Sequence, residues 1–248
     1  MERKRRIRET SLIDGYAVMG TLATFAALFV VLHRVVSGSR VRDKIVSMVG
    51  EVPFRRAFAL ASLLCLAGLW IGYRQATESP SNMVLFHPSN AARFAQLPIQ
   101  LIAIFLIVAG VTTRNPTIAG LGGSVTDQSI VRGVLRITRH PFLWGVSLFS
   151  LGHMLVGPTI ATLGFFGTLL FLAATGTISI DAKRRRVHGI DWQAFASATS
   201  NFPFVAIVQG RQSLALGEIG WMRIGIAVGV FALILSIHAL VFDVSPFP

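Results

Sequence analysis

The stretch PFLWGVSLFSLGHMLVGPTIATLGFFGTLLFLAATGTISI, residues 141–180, contains no Asp, Glu, Lys or Arg. An α-helix needs about 20 apolar residues to cross the ~30 Å hydrocarbon layer of a bilayer. The stretch is too long for one crossing, and Gly157-Pro158 divides it into Pro141–Val156 and Thr159–Ile180. Proline has no backbone donor and holds the residue before it in extended backbone, so a turn belongs there. Inside lipid every backbone polar group must find an internal partner, and a helix meets that demand within itself. The reading is an all-α, polytopic transmembrane helical bundle.

Four more apolar runs lie outward from this pair: Tyr16–Val36, Arg56–Tyr73, Pro98–Thr113 and Ile219–Phe242, giving six spans. Hydrophobic residues make up 53% of the chain and charged residues 14%, where a soluble domain carries about a quarter charged. Mean hydropathy is +0.65. One membrane domain, residues 1–248, is expected, with a basic N-terminal extension at 1–12 and no internal repeat. Thr77–Gln96 reads as a polar loop. Thr117–Asp127 reads as a Gly-rich turn without a nucleotide fingerprint. Asp181–Arg211 is polar enough to leave the bilayer, with Trp192, Phe195 and Phe202 expected as interfacial anchors.

The net charge is +12. The basic residues fall in loops, so membrane topology and attraction to anionic lipid explain them, and no nucleic acid is expected. The first, third and fifth loops with their edges hold 16 Lys and Arg; the opposite side holds 7, five of them at the N-terminus (Arg3, Lys4, Arg5, Arg6, Arg8). The odd-numbered loops are therefore expected in the cytoplasm. That places the N-terminal cluster on the disfavoured side, leaving two readings: a start at Met19, or a first helix oriented by later charges.

Candidate functional residues are those that are expensive to place in lipid. His33, His153 and His238 fall inside or at the edge of apolar runs, and His140 opens another. An imidazole in hydrocarbon loses several kcal/mol of hydration unless a partner or a metal replaces it. Imidazole suits haem iron, zinc and copper, and no carboxylate lies beside these histidines to favour a zinc hydrolase. His140 and His153 are 13 residues apart, nearly 20 Å along a helix, so they cannot share one metal from a straight helix. Pro141 suits a first helical turn, which puts Arg139 and His140 at a helix N-terminus, a natural anion site. Glu51 and Arg55 are spaced to pair on one helix turn, with Arg55 alternatively available to an anionic group such as a propionate. The single cysteine, Cys65, excludes an intrachain disulfide.

The ordered set Gly50-Glu51-x-x-x-Arg55, Arg114-Asn115-Pro116, Thr138-Arg139-His140-Pro141-x-x-Trp144-Gly145 and Leu151-Gly152-His153-Met154-Leu155 resembles the NnrU family. So do Asp181, Gly189-x-x-Trp192-x-x-Phe195, Thr199-Ser200-x-x-Pro203-Phe204 and His238-x-x-x-Phe242-x-x-Ser245-Pro246. The resemblance covers nearly the whole chain. It implies a multi-pass protein of the bacterial inner (cytoplasmic) membrane, linked to denitrification and nitric oxide, with respiratory or denitrification proteins as partners. The family is similar to the cis-zeta-carotene isomerase of plants and cyanobacteria, which binds haem b and isomerises a polyene through a redox-switched iron ligand. On that resemblance haem b is the expected cofactor and His33 and His153 its metal ligands. Arg139, His140, His238 and Arg55 would line the cofactor site, and the substrate would be an apolar small molecule or nitric oxide. The isomerase's cysteine three residues before its second ligand is Ser150 here. Depth alone would pair His153 with His238 instead.

Two other readings stand beside it. Arg139-His140-Pro141-Phe142-Leu143-Trp144-Gly145 with Gly152 is similar to the start of the cofactor motif in membrane methyltransferases of the isoprenylcysteine and phospholipid type. Those use S-adenosylmethionine, expected here near Arg139, His140 and Asp181, but their glutamate pair is missing. The other reading is a non-enzymatic membrane component supporting a respiratory complex.

Overall fold

A computed structural model describes the backbone at residues 2–37, 39–118, 121–122 and 124–247, and side chains there except at 2–14, 16 and 128. The side chains of the N-terminal basic cluster lie outside the described residues. The elements are α1 (Glu2–Val31), a π-helical continuation at Leu32–Ser37, α2 (Arg40–Val49), α3 (Glu51–Thr77), α4 (Asn90–Thr112), α5 (Val134–Ile137), α6 (Pro141–Val156), α7 (Ile160–Ala198), α8 (Val205–Val208) and α9 (Trp221–Phe242). No strand occurs among the described residues, only an isolated bridge between Val84 and Thr159. Among the described residues five helical segments are long and apolar enough to cross a membrane: Ala17–Ser37, α3, α4, α7 and α9. The expected fourth span is α6, whose 16 residues make about 24 Å of helix, short of the hydrocarbon thickness. The protein is an all-α, multi-pass membrane bundle.

The chain packs as two compact units, residues 1–88 with 153–172, and residues 89–152 with 173–248. In the first, α1 and α3 run antiparallel. A Cβ on Gly68 would fall 2.2 Å from the Phe25 ring, and one on Gly72 would meet the Leu22 backbone at 3.0 Å. Only glycine permits that approach, as is common where helices associate in lipid. Leu22 also presses on Gly164 of α7 and is almost wholly buried. The turn before α7 is pinned by Leu85 N–H to the Pro158 carbonyl (2.7 Å) and Ala161 N–H to Asn82 Oδ1 (3.0 Å).

In the second unit α6 crosses α4 at Gly110 and Gly145, whose missing side chains admit the Phe142 backbone and the Ala103 carbonyl. α9 lies on α4 through Ile104, Val108 and Ala227. The outer faces of these helices are apolar and exposed, as at Leu233 and Leu240 of α9, which is the surface lipid covers.

From Ile160 to Asp181 α7 rises about 32 Å, enough to cross the hydrocarbon layer. Gly189 then breaks the helix at φ 54°, ψ −120°, a conformation only glycine adopts without strain. Trp192 and Phe195 follow one turn apart. The expectation that they anchor at the lipid interface is corrected: both are fully buried on Val125, Ile130 and Val131. The long third loop folds back and covers them. Phe202 alone of the three is exposed.

Candidate functional site

The sequence-predicted residues separate into a closed polar knot in the second unit and two aromatic-lined histidines in the first.

The knot forms around Asp181. Arg139 donates from Nε to both carboxylate oxygens (3.0 Å each) and from a terminal nitrogen to Oδ2. His140 Nε2 lies 2.7 Å from Oδ1, and Asn201 Nδ2 donates to Oδ2 at 3.1 Å. Backbone contacts fix the geometry. The Arg139 carbonyl accepts from Asn115 Nδ2 and Thr117 Oγ1, and Arg139 N–H donates to the Ser200 carbonyl. The Asn201 carbonyl accepts from Thr138 Oγ1 and Trp144 Nε1. This explains the motif residues locally. His140 caps α6, its carbonyl accepting from Trp144 N–H; Pro141 opens the first turn, where its missing donor is harmless. The Arg139 guanidinium lies 5.9 Å over the Trp192 ring. His140 is 2% exposed. Burial, opposed by the Asp181 carboxylate, pushes its pKa below the usual imidazole value, so it is neutral at pH 7. Protein donors occupy the anion site predicted at Arg139 and His140 with the chain's own carboxylate.

The expected Glu51–Arg55 pair is corrected. Glu51 is held by Arg42, one guanidinium nitrogen lying 2.6 Å from each carboxylate oxygen, while Arg55 is exposed with no hydrogen bond or ion pair among the described residues. The Gly50 turn, at φ 88°, lays α2 beside the start of α3. Contact with both oxygens outcompetes a single exposed i, i+4 contact. Arg42 also covers the Phe54 ring at 5.4 Å.

His33 lies in the π-helical segment, half-buried between Phe29 (ring centroids 4.3 Å) and Phe58 (5.2 Å), with Phe54 stacked behind Phe58. Its Nδ1 is 2.9 Å from the Phe29 carbonyl. A carbonyl only accepts, so Nδ1 carries the proton and neutral His33 presents a bare lone pair on Nε2. No described residue hydrogen-bonds that nitrogen. A backbone carbonyl fixing one ring nitrogen is how proteins orient a histidine toward a metal, and π-helical turns are frequent at functional sites.

His153 stacks flat on Phe166 (4.4 Å, planes 7° apart), beside Tyr73, Phe165 and Trp70. Phe166 and Tyr73 adjoin Gly164 and Gly72, the layer of Leu22. His33 is eleven residues beyond Leu22, about 16 Å of helix. Axial ligands on opposite faces of one haem have well-separated Cα atoms, so this difference in depth leaves the expected His33–His153 pair open. His238 turns back on its own chain, Nδ1 donating to the Val244 carbonyl at 2.8 Å. No group of three His, Cys, Asp or Glu converges as a metal site among the described residues.

Sequence reasoning missed Gln100, buried in mid-span on α4, which donates to the Phe149 carbonyl and lies against Gly152. A lone Gln in an apolar run was the available signal.

The family model "NnrU protein" matches residues 21–246. The chain belongs to the NnrU family. It is 38% identical over 86 residues to the chloroplastic 15-cis-zeta-carotene isomerase of Arabidopsis thaliana, and 35% identical over 86 residues to that of Zea mays. Each match covers 33% of this chain and 22% of the relative. The chain thus spans about a fifth of the length of these curated relatives. No solved structure matches it.

Proposed function

We propose that this NnrU-family protein is a membrane isomerase-like enzyme acting on an apolar substrate, with haem b held through His33. The observation that carries the cofactor is the His33 ring: Nδ1 fixed on the Phe29 carbonyl, Nε2 bare, phenylalanine on both sides. When bound there, haem supplies a redox-active iron whose ligation the protein can alter. The chain's own part is to orient the imidazole, to exclude water with Phe29, Phe54 and Phe58, and to offer the exposed Arg55 near the same helix ends. His153, stacked on Phe166 in the same unit, is the second ligand candidate. The names of the two plant relatives favour isomerisation over a nitric oxide or denitrification role, and the family resemblance favours a bacterial inner membrane.

The test is a visible absorption spectrum of detergent-purified protein expressed with haem supply, oxidised and then dithionite-reduced. A Soret band with sharp reduced α and β bands, abolished by His33→Ala, is the expected result. Loss in His153→Ala as well makes the pair the axial ligands. A protein that stays colourless with added hemin overturns the haem reading. Adding nitric oxide to the reduced protein tests the gas-binding role.

A further inference from the structure

In the second unit a cleft of about 380 Å³ opens where α4 ends and α9 begins. Arg114, Arg132 and Arg223 line it, with Asp127 and Glu218 among them. The two acids are already engaged. Glu218 is gripped by Arg136 from behind the wall (2.8 Å to each oxygen) and by Gly133 N–H (2.8 Å). Those donors hold its carboxyl down at about 2. Asp127 Oδ1 accepts from the Ser129 backbone and hydroxyl. Arg223 reaches the Thr112 hydroxyl and carbonyl and the Ile219 carbonyl. Arg114 and Arg132 are exposed and make no hydrogen bond or ion pair with any described residue. Their charges face the cleft uncompensated except by the field of the two acids. The rest of the wall is mixed: Thr113 and Ser129 are polar, and Ile130, Val134 and Ile219 are apolar and buried.

Cationic heads in a cleft at the end of two membrane helices match an amphiphile with an anionic end. The exposed Trp221 and Met222 begin α9 at the same level, as residues at a headgroup boundary do. Basic pockets between transmembrane helices on the cytoplasmic side take lipid phosphates, and the positive-inside count places this loop there. We propose that this cleft binds a phosphate ester, the headgroup of an anionic phospholipid, through Arg114 and Arg132. The cleft's place at the ends of two membrane helices, beside the exposed Trp221 and Met222, favours the lipid over a free phosphate.

The experiment titrates full-length protein in neutral detergent with short-chain phosphatidylglycerol, with phosphatidylcholine, and with glycerol phosphate. It is run at about 0.15 M salt, where charges beyond ~8 Å are screened. Phosphatidylglycerol should bind well above phosphatidylcholine. Arg114→Gln with Arg132→Gln should weaken it about thirtyfold, two arginines at about 1 kcal/mol each. A control removing equal charge elsewhere, Arg185→Gln with Arg186→Gln, should weaken it less than about threefold. Neither pair bears a structural contact, and elution on size exclusion checks the fold. Full competition by glycerol phosphate keeps the anion site but makes its source soluble; failure to compete assigns the lipid. Equal loss in both variant pairs, or no preference over phosphatidylcholine, overturns the site.

Discussion

His140 and His33 are the same side chain at the ends of membrane helices, and their surroundings separate architecture from function. His140 lies in a carboxylate–guanidinium knot in which both Asp181 oxygens are bound by protein donors and almost no surface is exposed. His33 has one ring nitrogen fixed and the other bare, with aromatic rings on its flanks. A polar cluster whose members satisfy one another holds helices together; a half-satisfied imidazole in an apolar setting leaves one nitrogen open, the feature on which the proposed ligation rests. The motif that looks most like a site in the sequence, Arg139-His140-Pro141, is on this view a joint of the fold.

The largest expected effect breaks that joint. Asp181→Ala leaves the largely enclosed Arg139 without its partner, and removing one member of a buried ion pair costs about 3–5 kcal/mol, an upper bound for this pair. Thermal unfolding in detergent should show the loss, and a melting point equal to wild type would refute the architectural role. Next comes Gly189→Ala, which forces a Cβ into a glycine-only backbone conformation. No atom lies within 4 Å of that position, so the penalty is conformational, about 1–3 kcal/mol. It should loosen Trp192 beneath Arg139 while any haem signal at His33 persists.

The bundle was legible because hydropathy and proline are local signals. The α6 bounds coincide with the run from Pro141 to Val156, and His140 takes the capping place that Pro141 implied. Partnerships across the chain were not legible. Nothing near Arg139 in sequence names Asp181, 42 residues on, as the carboxylate its fork grips. Glu51 has a helix-spaced arginine in Arg55, yet Arg42 binds it because a positive-φ glycine folds α2 beside it. Trp192 and Phe195 look like interfacial anchors until the preceding loop is seen to cover them. Gln100 in an apolar run shows its role only with Phe149 beside it.

A pH titration sharpens the same contrast at smaller amplitude. His140's folded pKa lies below its unfolded value because burial disfavours the cation. Its neutral form therefore stabilises the fold fully above about pH 6.5. As pH falls below that value the unfolded state takes the proton first, and stability drops by at most about 1.4 kcal/mol per unit. Melting points between pH 7.5 and 5.5 should decline in wild type, and His140→Asn should remove that slope. A wild-type curve that is flat, or that rises on acidification, would mean the imidazole is charged in the knot.

The smallest stability change is expected at the residue proposed to hold the cofactor. His33 is half-buried, and its one hydrogen bond to Phe29 is worth about 0.5–1.5 kcal/mol. His33→Ala also removes an imidazole's ring contacts with Phe29 and Phe58, so a loss of about 1 kcal/mol is expected in the melting curve, well below that of Asp181→Ala. His33→Gln separates the causes: its amide keeps a donor for the Phe29 carbonyl but supplies no imidazole nitrogen to iron. If His33→Gln melts like wild type and no longer takes up haem, the ring serves the ligand and not the fold. If instead it retains the spectrum while His33→Ala is unstable, the nest is packing, and the distinction between a closed knot and an open site fails at this residue.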